Sequence, residues 1–97
     1  MRKLVTRLQA QLDVEDAALW YESQQPGLGL RFLDELDYVM KRIIASPSQF
    51  PEVHPRIRRG LVKRFPYSVY FSASDEQVEV VAVLHQHRHS DTWRNRL

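Results

Sequence analysis

Three residues, Gln25-Pro26-Gly27, do most to limit what this chain can fold into, because they separate two helical patterns with almost no linker. Over residues 9–25, Ala10, Val14, Ala17 and Tyr21 recur at i, i+4, i+7 and i+11, one face of a helix, while Asp13, Glu15, Asp16 and Glu22 mostly look outward. Proline removes a backbone donor and glycine admits a left-handed turn, so the first helix stops there. Over residues 28–45, Phe32, Leu33, Leu36, Val39, Met40, Ile43 and Ile44 form a wide apolar stripe opposite Arg31, Glu35, Lys41 and Arg42. So short a connection makes the helices antiparallel neighbours, a hairpin with one apolar face to bury.

The second half of the chain must supply the surface that buries it. Ser46-Pro47 ends the second helix, and Pro51 and Pro55 keep the next ten residues extended and irregular, anchored by Phe50 and Val53. Strands are predicted at about 56–64, 67–73 and 77–87, with turns at Phe65-Pro66 and Ser74-Asp75-Glu76, so consecutive strands pair as an antiparallel meander. Leu4 and Val5 predict a further strand within residues 1–7. The expected fold is α+β, in the order βααβββ, with the hairpin on one face of a mainly antiparallel four-stranded sheet. Its 97 residues suffice for one core and not two, so 1–97 is read as a single domain. The last strand is apolar on both faces, with Val78, Val80, Ala82 and Leu84 on one and Val81 and Val83 on the other. One hairpin covers one face. The tail or a partner must cover the second.

Charge is unevenly placed. Residues 1–48 carry six Lys/Arg against seven Asp/Glu; residues 49–97 carry eight against five, and all four histidines. Within 54–64 stand Arg56, Arg58, Arg59, Lys63 and Arg64 with no carboxylate, and the last strand runs into His85-Gln86-His87-Arg88. Such a cluster suits a polyanion or an acidic partner; the plainer alternative is a solvated basic face. His85 and His87, two apart on a strand, should share a side with Glu79 behind them. Two imidazoles can begin a metal site, but zinc takes three or four ligands and the chain has no cysteine, so neither metal nor cofactor is expected. The pair can equally sit at a strand end as surface residues, or move protons on RNA while arginine stabilises a developing phosphate charge. Arg88 can grip a phosphate or carboxylate with two donors, or stack on Trp93 or Tyr70. Tyr67 and Tyr70 read as core aromatics with a hydroxyl at the rim, Trp20 and Tyr21 as packing residues. No cysteine, no apolar run of roughly 20 residues and no signal-peptide core together point to a soluble cytoplasmic domain with no membrane role.

One series of motifs runs through residues 9–96. It comprises Asp13-Val14-Glu15-Asp16-Ala17-Ala18-Leu19-Trp20-Tyr21-Glu22, then Pro26-Gly27-Leu28-Gly29 with Arg31-Phe32-Leu33, and a turn from Pro47 to Pro51. Arg58-Arg59, Arg64-Phe65-Pro66-Tyr67 with Val69-Tyr70, and Val81-Ala82-Val83-Leu84-His85 through Arg88 to Trp93 complete it. In order and spacing it resembles the RelE/ParE toxins of bacterial type II toxin–antitoxin modules. The resemblance implies the βααβββ fold, growth inhibition or plasmid stabilisation, and neutralisation by a cognate antitoxin whose acidic C-terminal segment wraps the toxin into a hetero-oligomer. RelE-like members cleave messenger RNA on the ribosome, and Arg59 and Arg88 match two of their basic positions. Ser68 stands where those nucleases place an arginine, and the tail has Trp93 but no tyrosine. These departures, with the Trp-Tyr-Glu, Phe-Pro-Tyr and Val-Leu-His matches, lean towards the ParE-like members, which poison DNA gyrase by binding. The expectation is therefore a ParE-like toxin, with Arg56, Arg58, Arg59, Lys63, Arg64, Arg88 and Trp93 contacting target or antitoxin. The alternatives are an endoribonuclease using Arg59, His85, His87 and Arg88, or a non-toxic relative that binds only its antitoxin.

Overall fold

In the computed structural model, which describes residues 2–88 and 91–97, the chain runs β1 (Lys3–Thr6), α1 (Leu8–Gln24), α2 (Leu28–Ala45), β2 (Glu52–His54), β3 (Ile57–Leu61), β4 (Tyr67–Ala73) and β5 (Gln77–His85). Short 3-10 helices follow α2 at Pro47–Gln49 and close the chain at Thr92–Arg96.

Glu22, in the last turn of α1, holds the hairpin. Its carboxylate accepts hydrogen bonds from the backbone N–H of Gly27 (2.9 Å) and Gly29 (3.0 Å), which satisfies donors left open at the start of α2 and puts negative charge at its positive end. Gly27 takes the left-handed conformation, at φ 89°. Gly29 lets the helices touch, since a Cβ there would lie 2.6 Å from the carbonyl oxygen of Ala18. The facing sides bury Ala10, Ala17 and Tyr21 from α1 and Phe32, Leu36, Val39, Met40 and Ile43 from α2. Leu33, expected in that stripe, is 37% exposed. It lies on the flank of α2, beside the i, i+4, i+7, i+8, i+11 track that the five buried residues already fill. Trp20, expected to pack, is also half exposed, and Tyr21 takes the core position.

The sheet has five strands, in the order β1-β5-β4-β3-β2, not the four expected. β1 runs parallel to β5, and the remaining pairs are antiparallel. The additional strand is β2, in the stretch read as irregular. Pro51 and Pro55 flank it, and it is an edge strand of three residues, where proline costs little.

β5 does not alternate strictly. Tyr70 pairs with Ala82 but Phe71 pairs with Val80, so Val81 is an extra residue in a bulge. The bulge reverses the pattern. Val78, Val80 and Val83 pack with the helices, while Val81, Ala82 and Leu84 join Ile57 and Tyr70 on the other face. Trp93 closes that second face, stacked on Tyr70 at 5.2 Å. The chain's own tail thus covers much of the surface for which the sequence asked for a cover.

The tail is fastened at the bare edge of β5. Register with β1 ends at Val80; beyond it, the Val83 N–H donates to Asp13 Oδ2 (3.0 Å) and the Val81 carbonyl accepts from Arg96 Nη1 (3.2 Å). Arg96 and Asp13 also pair through both carboxylate oxygens, at 2.6 and 3.0 Å. That hydrogen bonding raises the Arg96 pKa above its usual value, against the opposing effect of burial. Arg7 completes the clasp by donating to Glu79 and to the Arg96 carbonyl.

Candidate functional site

Strand geometry divides the basic stretch. Successive residues of β3 point to opposite faces, so Arg58 and Arg59 cannot share one. Arg58 stands opposite Phe71, on the helix side, donates to the Phe50 carbonyl (2.6 Å) and lies 3.9 Å from Glu52. Arg59 stands opposite Tyr70, on the side of the tail. Arg56, in the β2–β3 turn, and Arg64, in the β3–β4 turn, both adopt φ 70°, rare for residues other than glycine. Lys63 and Arg64 are exposed. Arg64 comes within 3.8 Å of Glu35, near enough for attraction but too far for a hydrogen bond, so Glu35 Oε2 has no partner among the described residues. The basic residues therefore stand on two faces and two turns, some already facing carboxylates.

Two clefts result. On the tail side a cleft of about 390 Å³ is lined by Arg59, Leu61, Ser68, Tyr70, Gln86, His87, Trp93 and Arg94, among others. On the helix side a smaller one, about 240 Å³, gathers Asp13, Asp16, Trp20, Tyr67, His85 and Arg88. The four residues proposed for nuclease chemistry are thus shared out: Arg59 and His87 line one cleft, His85 and Arg88 the other. Glu79 does not lie behind the histidines either, because the bulge changes sides between them and it bonds Arg7 instead.

His85 is occupied by the backbone. Its Nδ1 accepts from the N–H of His87 (3.0 Å) and of Arg88 (3.2 Å), which shapes the exit from β5 and requires an unprotonated Nδ1. Burial first, then the Arg88 and His87 charges, hold its pKa below the usual 6.5. The Tyr67 ring meets the imidazole edge-on at 5.4 Å, and burial raises the pKa of its phenol above 10.0. The two imidazoles lie 5.9 Å apart, and among the described residues no group of three or more His, Asp or Glu side chains could hold a metal ion.

Trp93 is 3% exposed, so it is mainly a core residue whose edge reaches the tail-side cleft. The guanidinium over its ring is that of Arg94, at 5.3 Å, rather than Arg88. Sequence reasoning missed Ser68 as a site residue. It is 1% exposed and its Oγ has no hydrogen-bond partner among the described residues; the Nε of Arg59 is likewise without one. The available signal was a serine between Tyr67 and Val69 near the start of an apolar, aromatic strand.

A protein of known structure, described as the chromosomal ParDE TA system from P. aeruginosa, has the same fold. It superposes with a TM-score of 0.76 over 88% of this chain and 96% of its own, at 18% sequence identity. No curated protein matches the sequence. The family model described as ParE toxin of type II toxin-antitoxin system, parDE, matches residues 4–89. With that span covering the hairpin and the strands through β5, the chain belongs to the ParE toxin family.

Proposed function

We propose that this ParE-family protein is a toxin that acts by binding DNA gyrase, and that an acidic cognate antitoxin neutralises it by forming a hetero-oligomer with it. Family membership supports the toxin and antitoxin roles. The observation favouring binding over chemistry is the division of the nuclease candidates. Cleavage of RNA by 2′-hydroxyl attack needs a proton acceptor, a proton donor and cations converging on one phosphate. Here Arg59 and His87 line one cleft and His85 and Arg88 another, with the Nδ1 of His85 already accepting two backbone N–H groups. Ser68 supplies no charge on the tail side. The exposed cations Arg56, Lys63, Arg64 and Arg88 suit an acidic protein surface or antitoxin segment.

The test is induction without antitoxin, following DNA breakage and translation together. Gyrase-linked breaks should appear before protein synthesis falls, and should persist when His85 and His87 are both changed to Ala. Ribosome-bound messenger cleaved by the wild type and left whole by that double variant would establish the nuclease instead.

A further inference from the structure

The tail-side cleft holds two buried hydrogen-bonding atoms without partners. Arg59 pairs with Tyr70 and Leu61 with Ser68, so Arg59 and Ser68 are diagonal neighbours on one face of β3 and β4, within reach of a common ligand. Arg59 Nε and Ser68 Oγ are both buried, on side chains that line the cleft, and unpartnered among the described residues. Buried polar atoms in folded proteins are almost always paired. An N–H can only donate and a hydroxyl readily does, so the absent group is an acceptor. No carboxylate among the described residues lies within ion-pair distance of Arg59; Asp91 lines the same cleft without meeting it.

The walls indicate the kind of acceptor. The exposed side chain of Leu61, with part of Val53, lies beside the edges of the buried Tyr70–Trp93 stack, which suits a methylene stem ending in an anion. With Arg59 and Arg94 set against Asp91 on the lining, the cleft offers one net positive charge, which matches a single carboxylate better than a run of phosphates. We propose that the cleft takes the carboxylate of a glutamate side chain presented by a partner protein, with Arg59 and Ser68 as the two donors. This rests on the reading that an acidic protein segment binds the chain. It adds where one carboxylate goes and which side chains hold it.

Arginine Nε–H groups can be followed individually in ¹⁵N-labelled full-length protein, with Arg59→Lys assigning the signal. The probes are a capped Leu-Glu-Leu tripeptide, its Leu-Gln-Leu counterpart, inorganic phosphate and a short single-stranded RNA. The Arg59 Nε–H signal should move saturably with the glutamate peptide and stay in place with the glutamine peptide. Ser68→Ala should weaken the glutamate peptide about ten- to a hundredfold, as loss of one hydrogen bond to a charged group does. It should leave the melting temperature unchanged or higher, since the hydroxyl is unpartnered in the free protein. A shift with phosphate or RNA but not glutamate, no shift with any probe, or a lower melting temperature for Ser68→Ala each overturns the assignment. DNA breakage on induction is a separate readout, so breaks without a glutamate shift sink the cleft assignment alone.

Discussion

Arg56 and Arg64 each carry a conformational cost, set at Arg64 against no more than a long, exposed ion pair with Glu35. Each sits at φ 70°, where an L-residue is disfavoured by about 1–2 kcal/mol, and each is exposed. Strain at a charged surface residue points to use of the charge elsewhere. We expect Arg56→Gly to leave stability unchanged or raise it by up to about 1 kcal/mol, relief of strain outweighing the greater freedom of glycine when unfolded. The same change should slow association with an acidic partner; a clear loss of stability on denaturant unfolding would mean the side chain packs. His85 gives a second expectation. Its folded pKa lies below 6.5, so the unfolded chain binds the proton first. Stability should therefore fall as pH drops below about 6.5, until the folded pKa is passed, and His85→Gln should remove that part of the slope. At this scale the sequence showed which residue types were present but not their partners. Glu52 and Glu35, which approach Arg58 and Arg64, lie outside the run 54–64 in which charge was counted.

Among the elements, the helices were the most legible because an apolar stripe at helical spacing has one interpretation over seventeen or eighteen residues. The second helix and β4 begin and end where their sequence signals place them, while β3 was read too long by one residue at its start and three at its end, and β5 by two at its end. β3 stops at Leu61 because the chain turns at Lys63-Arg64, with the Val62 N–H making a last cross-strand bond to the Tyr67 carbonyl. The bulge at Val81 left no mark in the sequence: valine, alanine and leucine are apolar on whichever face they fall, so hydropathy cannot register a change of side. The hairpin joint is open to direct test. Gly29→Ala should destabilise by about 1–3 kcal/mol, because the added methyl meets the Ala18 backbone rather than a side chain that can turn aside. Leu36→Ala, at a position 6% exposed in the core, should cost about 2–5 kcal/mol. Denaturant midpoints would check both, and a loss below about 0.5 kcal/mol at Leu36 would mean α2 is rotated on the sheet.

On the scale of the whole molecule, the tail decides whether the sheet has one covered face or two. The sequence made the need for a cover plain but could not choose between tail and partner, since Trp93 in a polar segment reads equally well as a contact or as a plug. Asp13 and Arg96 settle the matter by bringing α1, β5 and the last residues together in one set of hydrogen bonds. Their side chains are 14% and 13% exposed, so water screens the pair only partly. Arg96→Met should strand the Asp13 carboxylate and cost about 2–4 kcal/mol, near the lower end for a broken buried pair. Asp13→Asn should cost less than Asp13→Ala, because an amide oxygen can still accept the Val83 N–H while alanine leaves it bare. The measurement is a double-variant cycle on unfolding free energy, with Trp93 fluorescence reporting the second core. If the clasp seats the tail, Arg96→Met should also expose Trp93 to a soluble quencher while the hairpin stays folded. Additive effects of changes at Asp13 and Arg96, with Trp93 still shielded, would mean that packing against Tyr70 alone holds the tail.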